Sequence, residues 1–176
     1  STEAQTQDFD SSSPNLYLTD RRQSFRQYSQ EIRAAGKFTD SFDYVVGAYA
    51  YDGSYSLIQD TLFFGGPLPT QIVSGTAKSL AFFGDFNASL TDELRVNFGG
   101  RYTRDKKSIN NTVGAFLGNP KASFKKFTPK ISVDYRPNED HLVYASWSRG
   151  YRSGGFSNRA QTAVSPLAPY ESEVVD

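Results

Sequence analysis

The stretch LRVNFGGRYTRDKK, residues 94 to 107, alternates apolar and polar side chains with a period of two. One parity is mainly apolar and the other polar or charged: Leu94, Val96, Phe98 and Tyr102 against Arg95, Asn97, Arg101, Thr103, Asp105 and Lys107. Because successive side chains of a strand point to opposite faces, this pattern predicts a β-strand with one apolar face. No convincing amphipathic helix pattern occurs elsewhere to cover that face.

Composition narrows the classes of protein that this chain can belong to. The 176 residues are enough for one ordinary domain or a piece of a larger protein. Lys+Arg and Asp+Glu are equal at 19 each, so bulk charge indicates no nucleic-acid partner. The absence of cysteine excludes disulfides, thiolate nucleophiles and cysteine metal sites. An aromatic content of 15% with 14 glycines favours β structure.

The alternation recurs along the chain and predicts an antiparallel meander of about seven strands. We expect them near residues 26–35, 42–55, 77–90, 94–108, 125–136 and 141–152, with a further start near 170. Short connections (GKFTDS, TDE and PNED) take turns with long ones at residues 56–76, 109–124 and 153–169. Tight turns at one end and long loops at the other are typical of membrane barrels.

The parities predict which side chains face lipid and which face a lumen. The predicted lipid-facing set is Tyr28, Ile32, Leu80, Phe82, Phe86, Ala88, Leu90, Phe127, Ile131, Val133, Tyr135, Val143, Ala145 and Trp147. The predicted lumenal charges are Glu31, Arg33, Asp85, Arg95, Arg101, Asp105, Lys126, Lys130 and Asp134. Aromatics near strand ends, Tyr44, Tyr49, Tyr51, Tyr135 and Tyr144, suit an interfacial girdle. The sequence therefore predicts an all-β segment of a transmembrane barrel, because strands cross a bilayer only inside a closed barrel.

Two alternatives from other classes remain open at this point. A soluble β-sandwich or lipocalin-like binding module would place the apolar parity in a dry core. A small complete outer-membrane barrel of structural or adhesive role would need one more strand and a closing aromatic terminus.

Several motifs resemble the barrel region of TonB-dependent outer-membrane receptors. They are YASWSRGYRSGGF (144–156) followed by PYESEVVD (169–176), QYSQEIRAAG (27–36) with FDYVVGAYAYDGSYS (42–56), FFGDFNASLTDELRVNFGGRYTRDKKS (82–108) and FTPKISVDYRPNEDHLVYAS (127–146). Their order is consistent from about residue 25 to 176. The likeness is nearest to receptors of the siderophore or iron-complex type.

This resemblance implies a 22-stranded barrel in the Gram-negative outer membrane, plugged by an N-terminal domain. It implies uptake of a ferric siderophore or a similar nutrient complex, driven by a TonB-type energy-coupling protein that contacts a box before the plug. We accordingly expect residues 1–25 to be an extracellular loop or preceding segment and 26–176 to be partial barrel, with the plug and box absent. Expected partners are outer-membrane lipid, the plug domain, the TonB-type protein and the nutrient ligand.

The sequence predicts no catalytic constellation, no cofactor and no metal site, and hence no enzyme. His141 lies in the predicted turn PNED–His without a second histidine or a cysteine nearby. Candidate substrate-binding residues are aromatics of the long connections and the rim arginine with its neighbour: Phe63, Phe64, Phe116, Tyr151, Arg152 and Phe156. Arginine suits anionic groups because its planar guanidinium binds them bidentately.

Overall fold

The structure, a computed structural model, describes residues 2–8, 16–114, 116–157 and 168–176. The described residues form β-strands: β1 Thr2–Asp8, β2 Tyr17–Thr39, β3 Phe42–Phe63, β4 Gly66–Pro67, β5 Gln71–Ser89, β6 Leu94–Val113, β7 Phe116–Gly118, β8 Lys121–Asn138, β9 His141–Ser148, β10 Gly150–Arg152 and β11 Glu173–Val175. Within this described part, no helix has the length and hydropathy needed to span a membrane.

Seven strands follow one another in a single antiparallel sheet, in the order β1-β2-β3-β5-β6-β8-β9. The short strands β4 and β7 pair with β3 and β6, and β10 pairs with β11 in a separate two-stranded sheet. Neighbours in the large sheet are neighbours in sequence apart from these short strands, so the predicted antiparallel meander is confirmed. Its seven strands differ from the predicted set, because β1 was not among the expected strands and the expected start near 170 corresponds to β11, outside the large sheet. β1 and β9 form the two edges, and the described residues do not pair them with each other.

The two faces of the large sheet differ in burial. In β5, Val73 and Ala81 are fully buried, whereas Ile72, Leu80 and Phe82 on the other parity are exposed. Because a single sheet can bury only its concave side, the face of Val73 and Ala81 is the inside of a curved wall. We call this the lumenal face and the opposite side the outward face. The strand registers place every predicted lumenal charge on the lumenal face and Leu94, Val96 and Phe98 on the outward face.

The outward face carries an apolar band about nine residues tall on each strand. In β6 it runs from Leu94 to Tyr102, and the next outward residue is Arg104. Nine to eleven residues are what a tilted strand needs to cross a bilayer. Aromatic rings pack along this band, with Phe86 lying 5.3 Å from Phe98 and 6.2 Å from Phe42 between ring centroids. The outward face is therefore built to contact hydrocarbon.

The upper border of the apolar band gives the tilt of the strands. The last apolar or aromatic outward residues before a charge are Tyr28, Ala50, Leu80, Tyr102 and Phe127. Ala50 pairs with Leu80, but Leu80 pairs with Arg104, so the border moves by two residues between β5 and β6. The same shift occurs between β2 and β3, where Tyr28 pairs with Asp52. Two such shifts over four strand spacings correspond to a tilt of about 35°, within the range of membrane barrels.

No second layer covers the outward row of Leu94, Val96 and Phe98 within the described residues. The small β10–β11 sheet lies on the other side, where Tyr151 contacts the lumenal Asp105. A sandwich would require a second sheet over this outward row. The geometry thus goes against the soluble alternative.

Two expectations about the strands are wrong. Residues 56–76 and 109–124 are largely not loops, because β3, β5, β6 and β8 continue their pairing beyond the apolar band to Phe63, Gln71, Val113 and Lys121. Tyr49, Tyr51 and Tyr144 cannot belong to an outward girdle, since their registers with Ala81, Ser79 and Asp134 place them on the lumenal parity. Tyr44 and Tyr135 do lie on the outward face.

Polar contacts across the strands satisfy the lumenal face within the bilayer. Asn97 donates to Asn87 at 2.7 Å, and Asn87 donates to Asp43 at 2.8 Å, which links three strands. Lys130 Nζ lies 2.6 Å from Asp85 Oδ1 and neutralises that half-buried carboxylate. Cross-strand pairs of this kind each contribute roughly 0.2–1 kcal/mol.

Candidate functional site

Three aromatic rings, those of Tyr17, Phe63 and Phe64, cluster at the end of the β3–β4 hairpin, and we call this cluster the aromatic tip. Phe63 contacts Phe64 and Tyr17 edge to face, with ring centroids 4.6 Å and 5.6 Å apart. The turn positions Phe64 and Gly65 at φ of 48° and 76°, and this left-handed backbone turns the Phe64 ring into solvent, where it is 71% exposed. Such a cluster of exposed rings offers an apolar contact surface on the side of the long hairpins.

A second candidate surface is the inward segment, which we define as residues 150–156. After β9 the chain leaves the sheet at Gly150 and crosses the lumenal face above the level of the apolar band. The Tyr151 hydroxyl donates to Asp105 Oδ2 at 3.2 Å, and Lys107 Nζ donates to the Gly154 carbonyl at 2.7 Å. The segment is therefore anchored to two neighbouring lumenal positions of β6.

The inward segment is also held by a backbone pair with the stretch that leads to β11. Gly155 and Tyr170 exchange two hydrogen bonds, of 3.2 Å and 2.8 Å. Gly154 is buried against the Tyr170 carbonyl and the Phe124 ring, where a side chain of any size would collide. Glycine is needed here for close approach of the backbone.

Burial and charge change the acidity of two tyrosines in this region. Burial, then the negative charge of Asp105 and the hydrogen bond to it, raise the pKa of Tyr151 to about 12. Burial, with a smaller contribution from Tyr170, raises the pKa of Tyr55 on β3. Both hydroxyls are therefore neutral hydrogen-bonding groups at physiological pH.

The raised pKa of Tyr151 gives a testable pH dependence. Since the folded pKa exceeds the ordinary value of 10.0, this tyrosine's contribution to anchoring is complete below pH 10 and is lost as the pH rises through about 12. The parent protein should show a tyrosinate absorbance change with a midpoint near pH 12, and the variant Tyr151→Phe should lack this change. Asp105→Asn should lower this midpoint only in part, because burial remains. A midpoint at 10 in the parent protein would contradict the anchored geometry.

The structure brings the predicted binding residues to two places rather than one. Tyr151, Arg152 and Phe156 lie on the inward segment, and the Arg152 side chain is 80% exposed, 3.9 Å from Glu173. Phe63 and Phe64 lie at the aromatic tip. Phe63 is eight residues beyond Tyr55 on β3, a distance of about 27 Å along the strand. Phe116 belongs to β7, and its backbone pairs with Val113 of β6. The Phe116 side chain lies outside the described residues.

Sequence reasoning missed the residues that hold the inward segment. Lys107 and Tyr170 were not predicted as site residues, and Asp105 was predicted only as a lumenal charge. The available signal was parity, because Asp105 and Lys107 lie on the lumenal side of β6 just beyond Tyr102.

Long antiparallel strands, an outward apolar band, a polar lumenal face and tall hairpins at one end define the wall of an outer-membrane barrel. A family model described as "TonB dependent receptor-like, beta-barrel" matches residues 1–175. The chain belongs to this family. Its members are receptors and transporters of the outer membrane rather than enzymes, so the predicted class and location are confirmed.

The relatives are receptors by name. The pesticin receptors of Yersinia enterocolitica and Yersinia pestis are each 29% identical over 159 residues, which cover 86% of this chain and 23% of the receptor. The crystal structure of the ferric yersiniabactin uptake receptor from Yersinia pestis matches the fold with a TM-score of 0.77 at 23% identity, over 90% of this chain and 26% of that one. The chain thus spans about a quarter of the length of these relatives.

Proposed function

We propose that the protein takes up a ferric siderophore or a similar iron complex across the outer membrane. The observation that carries this proposal is the family match over residues 1–175. On this proposal the tall hairpins form the outer mouth of the receptor. The name of the structural relative, ferric yersiniabactin uptake receptor, favours an iron complex over other nutrients.

The role of this segment is binding and guidance rather than bond chemistry. The rings of Phe63 and Phe64 at the aromatic tip meet the arriving complex. The exposed guanidinium of Arg152 then contacts its anionic groups, while Tyr151 and Phe156 line the way inward. A charge-assisted bidentate contact is strong and orientation-specific, which suits an anionic chelate.

Energy for transfer comes from outside this wall. A plug domain closes the lumen and faces the lumenal charges, among them Arg101, whose guanidinium carbon lies 5.4 Å from the Tyr49 ring centroid and 5.6 Å from that of Phe83. A TonB-type protein, contacting a box before the plug, displaces the plug and releases the complex into the periplasm.

Growth of the native bacterium on single ferric siderophores as sole iron source tests this proposal. Deletion of the gene should abolish growth on one complex, and the intact gene should restore it. Restoration with Arg152→Gln should lower affinity about tenfold, the effect of losing roughly 1.4 kcal/mol. Arg22→Gln is the matched control, because Arg22 lies on the outward face of the same wall, 3.2 Å from Asp60. Unchanged uptake of every ferric siderophore after deletion would remove the iron-uptake proposal.

A further inference from the structure

Asp105 is a buried carboxylate on the lumenal face of β6, above the level of the apolar band. It is 8% exposed, so a molecule in the lumen has little access to it. Its register partners Ser79 and Phe124 carry no charge, and within the described residues its hydrogen-bond partner is the Tyr151 hydroxyl. A buried charge is costly unless it is paired or hydrogen-bonded. The contact with Tyr151 is therefore what this carboxylate contributes to the fold.

The hydrogen bond between Tyr151 and Asp105 decides which way the next side chain points. β10, Gly150–Arg152, is extended, and neighbouring side chains of an extended chain point to opposite sides. Because Tyr151 reaches the wall at Asp105, Arg152 is directed away from the wall and into the lumen. The 80% exposure of the Arg152 side chain agrees with this direction.

The ion pair of Arg152 is too weak to set that direction by itself. Arg152 and Glu173 lie 3.9 Å apart and both side chains are exposed, and surface ion pairs of this kind contribute little to stability. Two anchors to β6 flank Arg152 along the chain instead: the Tyr151 anchor immediately before it and the Lys107 anchor two residues after it. Of the two, the Tyr151 anchor fixes the residue next to Arg152.

We propose that Asp105 is a positioning residue, which holds Tyr151 against β6 and thereby keeps the Arg152 guanidinium directed at anionic groups in the lumen. The inference rests on the proposed function, in which Arg152 contacts the transported complex. Asp105 acts through Arg152 and makes no contact with the complex itself. A guanidinium that is already directed at its partner loses less conformational freedom on binding, so the affinity is higher.

Uptake by cells that carry the full-length receptor tests this role. The probe is radioactive iron bound to the siderophore on which the deletion strain fails to grow. Asp105→Ala should raise the concentration for half-maximal uptake about tenfold, as Arg152→Gln does, and leave the maximal rate per folded receptor unchanged. In the double variant the loss should exceed that of either single variant by less than about twofold, because both changes remove the same contact.

Two further variants separate positioning from a general effect on folding. Tyr151→Phe keeps the ring and removes only the hydroxyl, so it should reproduce the Asp105→Ala result. Asp43→Ala is the matched control, because Asp43 is a lumenal carboxylate near the short turns that accepts a hydrogen bond from Asn87 at 2.8 Å. Half-maximal uptake in this control should stay at the parent's concentration, and Arg152→Gln should keep its full effect of about tenfold in that background.

A distance measurement tests the position of residue 152 without any ligand. Nitroxide labels are attached to the native receptor through Arg152→Cys and Ser74→Cys, the second of which lies exposed on the outward face of β5. This chain has no cysteine that would compete for the label. The two labels should show one narrow distance distribution. Asp105→Ala should broaden this distribution, and Asp43→Ala should leave it unchanged.

Two results would overturn the proposal. An unchanged distance distribution in Asp105→Ala would mean that Asp105 does not fix Arg152, whatever the ligand. A full effect of about tenfold from Arg152→Gln in the Asp105→Ala background would mean that the carboxylate acts on folding or on the complex directly. If deletion of the gene leaves the uptake of every ferric siderophore unchanged, the proposed function fails, and the distance measurement alone then decides whether Asp105 positions Arg152.

Discussion

Ile131→Arg is expected to destabilise the folded receptor in the membrane by roughly 2–4 kcal/mol, the cost of arginine near mid-bilayer on the lipid face of a barrel. Ile131 lies halfway between Phe127 and Tyr135, the two ends of the apolar band on β8, and it points outward. Its register partners Phe98 and Trp147 are apolar and offer the guanidinium no acceptor. The measurement is the fraction of heat-modifiable, folded receptor in isolated outer membranes.

The neighbouring residue supplies the control. Ser132 has the opposite parity and pairs with Asn97 and Ser146 on the lumenal face. Ser132→Arg places the same arginine side chain on a wet surface, so we expect folding close to that of the parent. Equal loss of folded protein in both variants would mean that the two faces are not divided between lipid and water.

Gly154→Ala should detach the inward segment without unfolding the wall. A Cβ atom on Gly154 would lie 2.5 Å from the Phe124 ring and would collide with the Tyr170 carbonyl, so the segment must shift. Overpacking of this kind costs typically about 1–3 kcal/mol. We expect the Gly155 and Tyr170 amides to exchange with deuterium roughly 5- to 150-fold faster, the same free energy expressed as a ratio.

Gly150→Ala is the matched substitution at the start of the same segment. A Cβ atom there would make an ordinary contact, 3.6 Å from the Val175 carbonyl, so exchange at Gly155 should stay as in the parent. Amides of β6 within the apolar band report on the wall and should be unchanged in both variants. Unchanged exchange in Gly154→Ala would contradict the close packing against Tyr170 and Phe124.

Alternation predicted the wall wherever the two faces meet different surroundings. Leu94, Val96 and Phe98 were assigned to the lipid side because the residues that alternate with them along the strand are polar or charged. The strand registers place all three on the outward face. Beyond the apolar band the outward face meets water instead of hydrocarbon, so the serine-, threonine- and asparagine-rich parts of β5 and β6 lose the alternation while their backbones still pair. For this reason the strand extensions were mistaken for loops.

The candidate site was less predictable because it depends on contacts between distant segments. The Tyr49 ring, on the lumenal side of β3, lies 5.4 Å from the guanidinium carbon of Arg101 on β6, a contact that no local pattern encodes. The inward segment depends on the departure of the chain at Gly150 and on its contact with Asp105, 46 residues away from Tyr151. Residue type and position in the predicted loops and rim identified Tyr151, Arg152 and Phe156 as candidates, and only the fold separates them from Phe63 and Phe64.

The unbroken pairing of β3 with β2 up to Phe63, and with β5 up to Gln59, limits how evolution can change the height of this hairpin. One residue inserted into a single arm would exchange the sides of every residue beyond it, moving Leu57 or Tyr55 from the interior to the exterior. Residues added or removed in matched numbers on both arms would preserve the sides. Divergent relatives should therefore differ in height by paired steps, and unpaired insertions should collect at the Phe64–Gly65 turn.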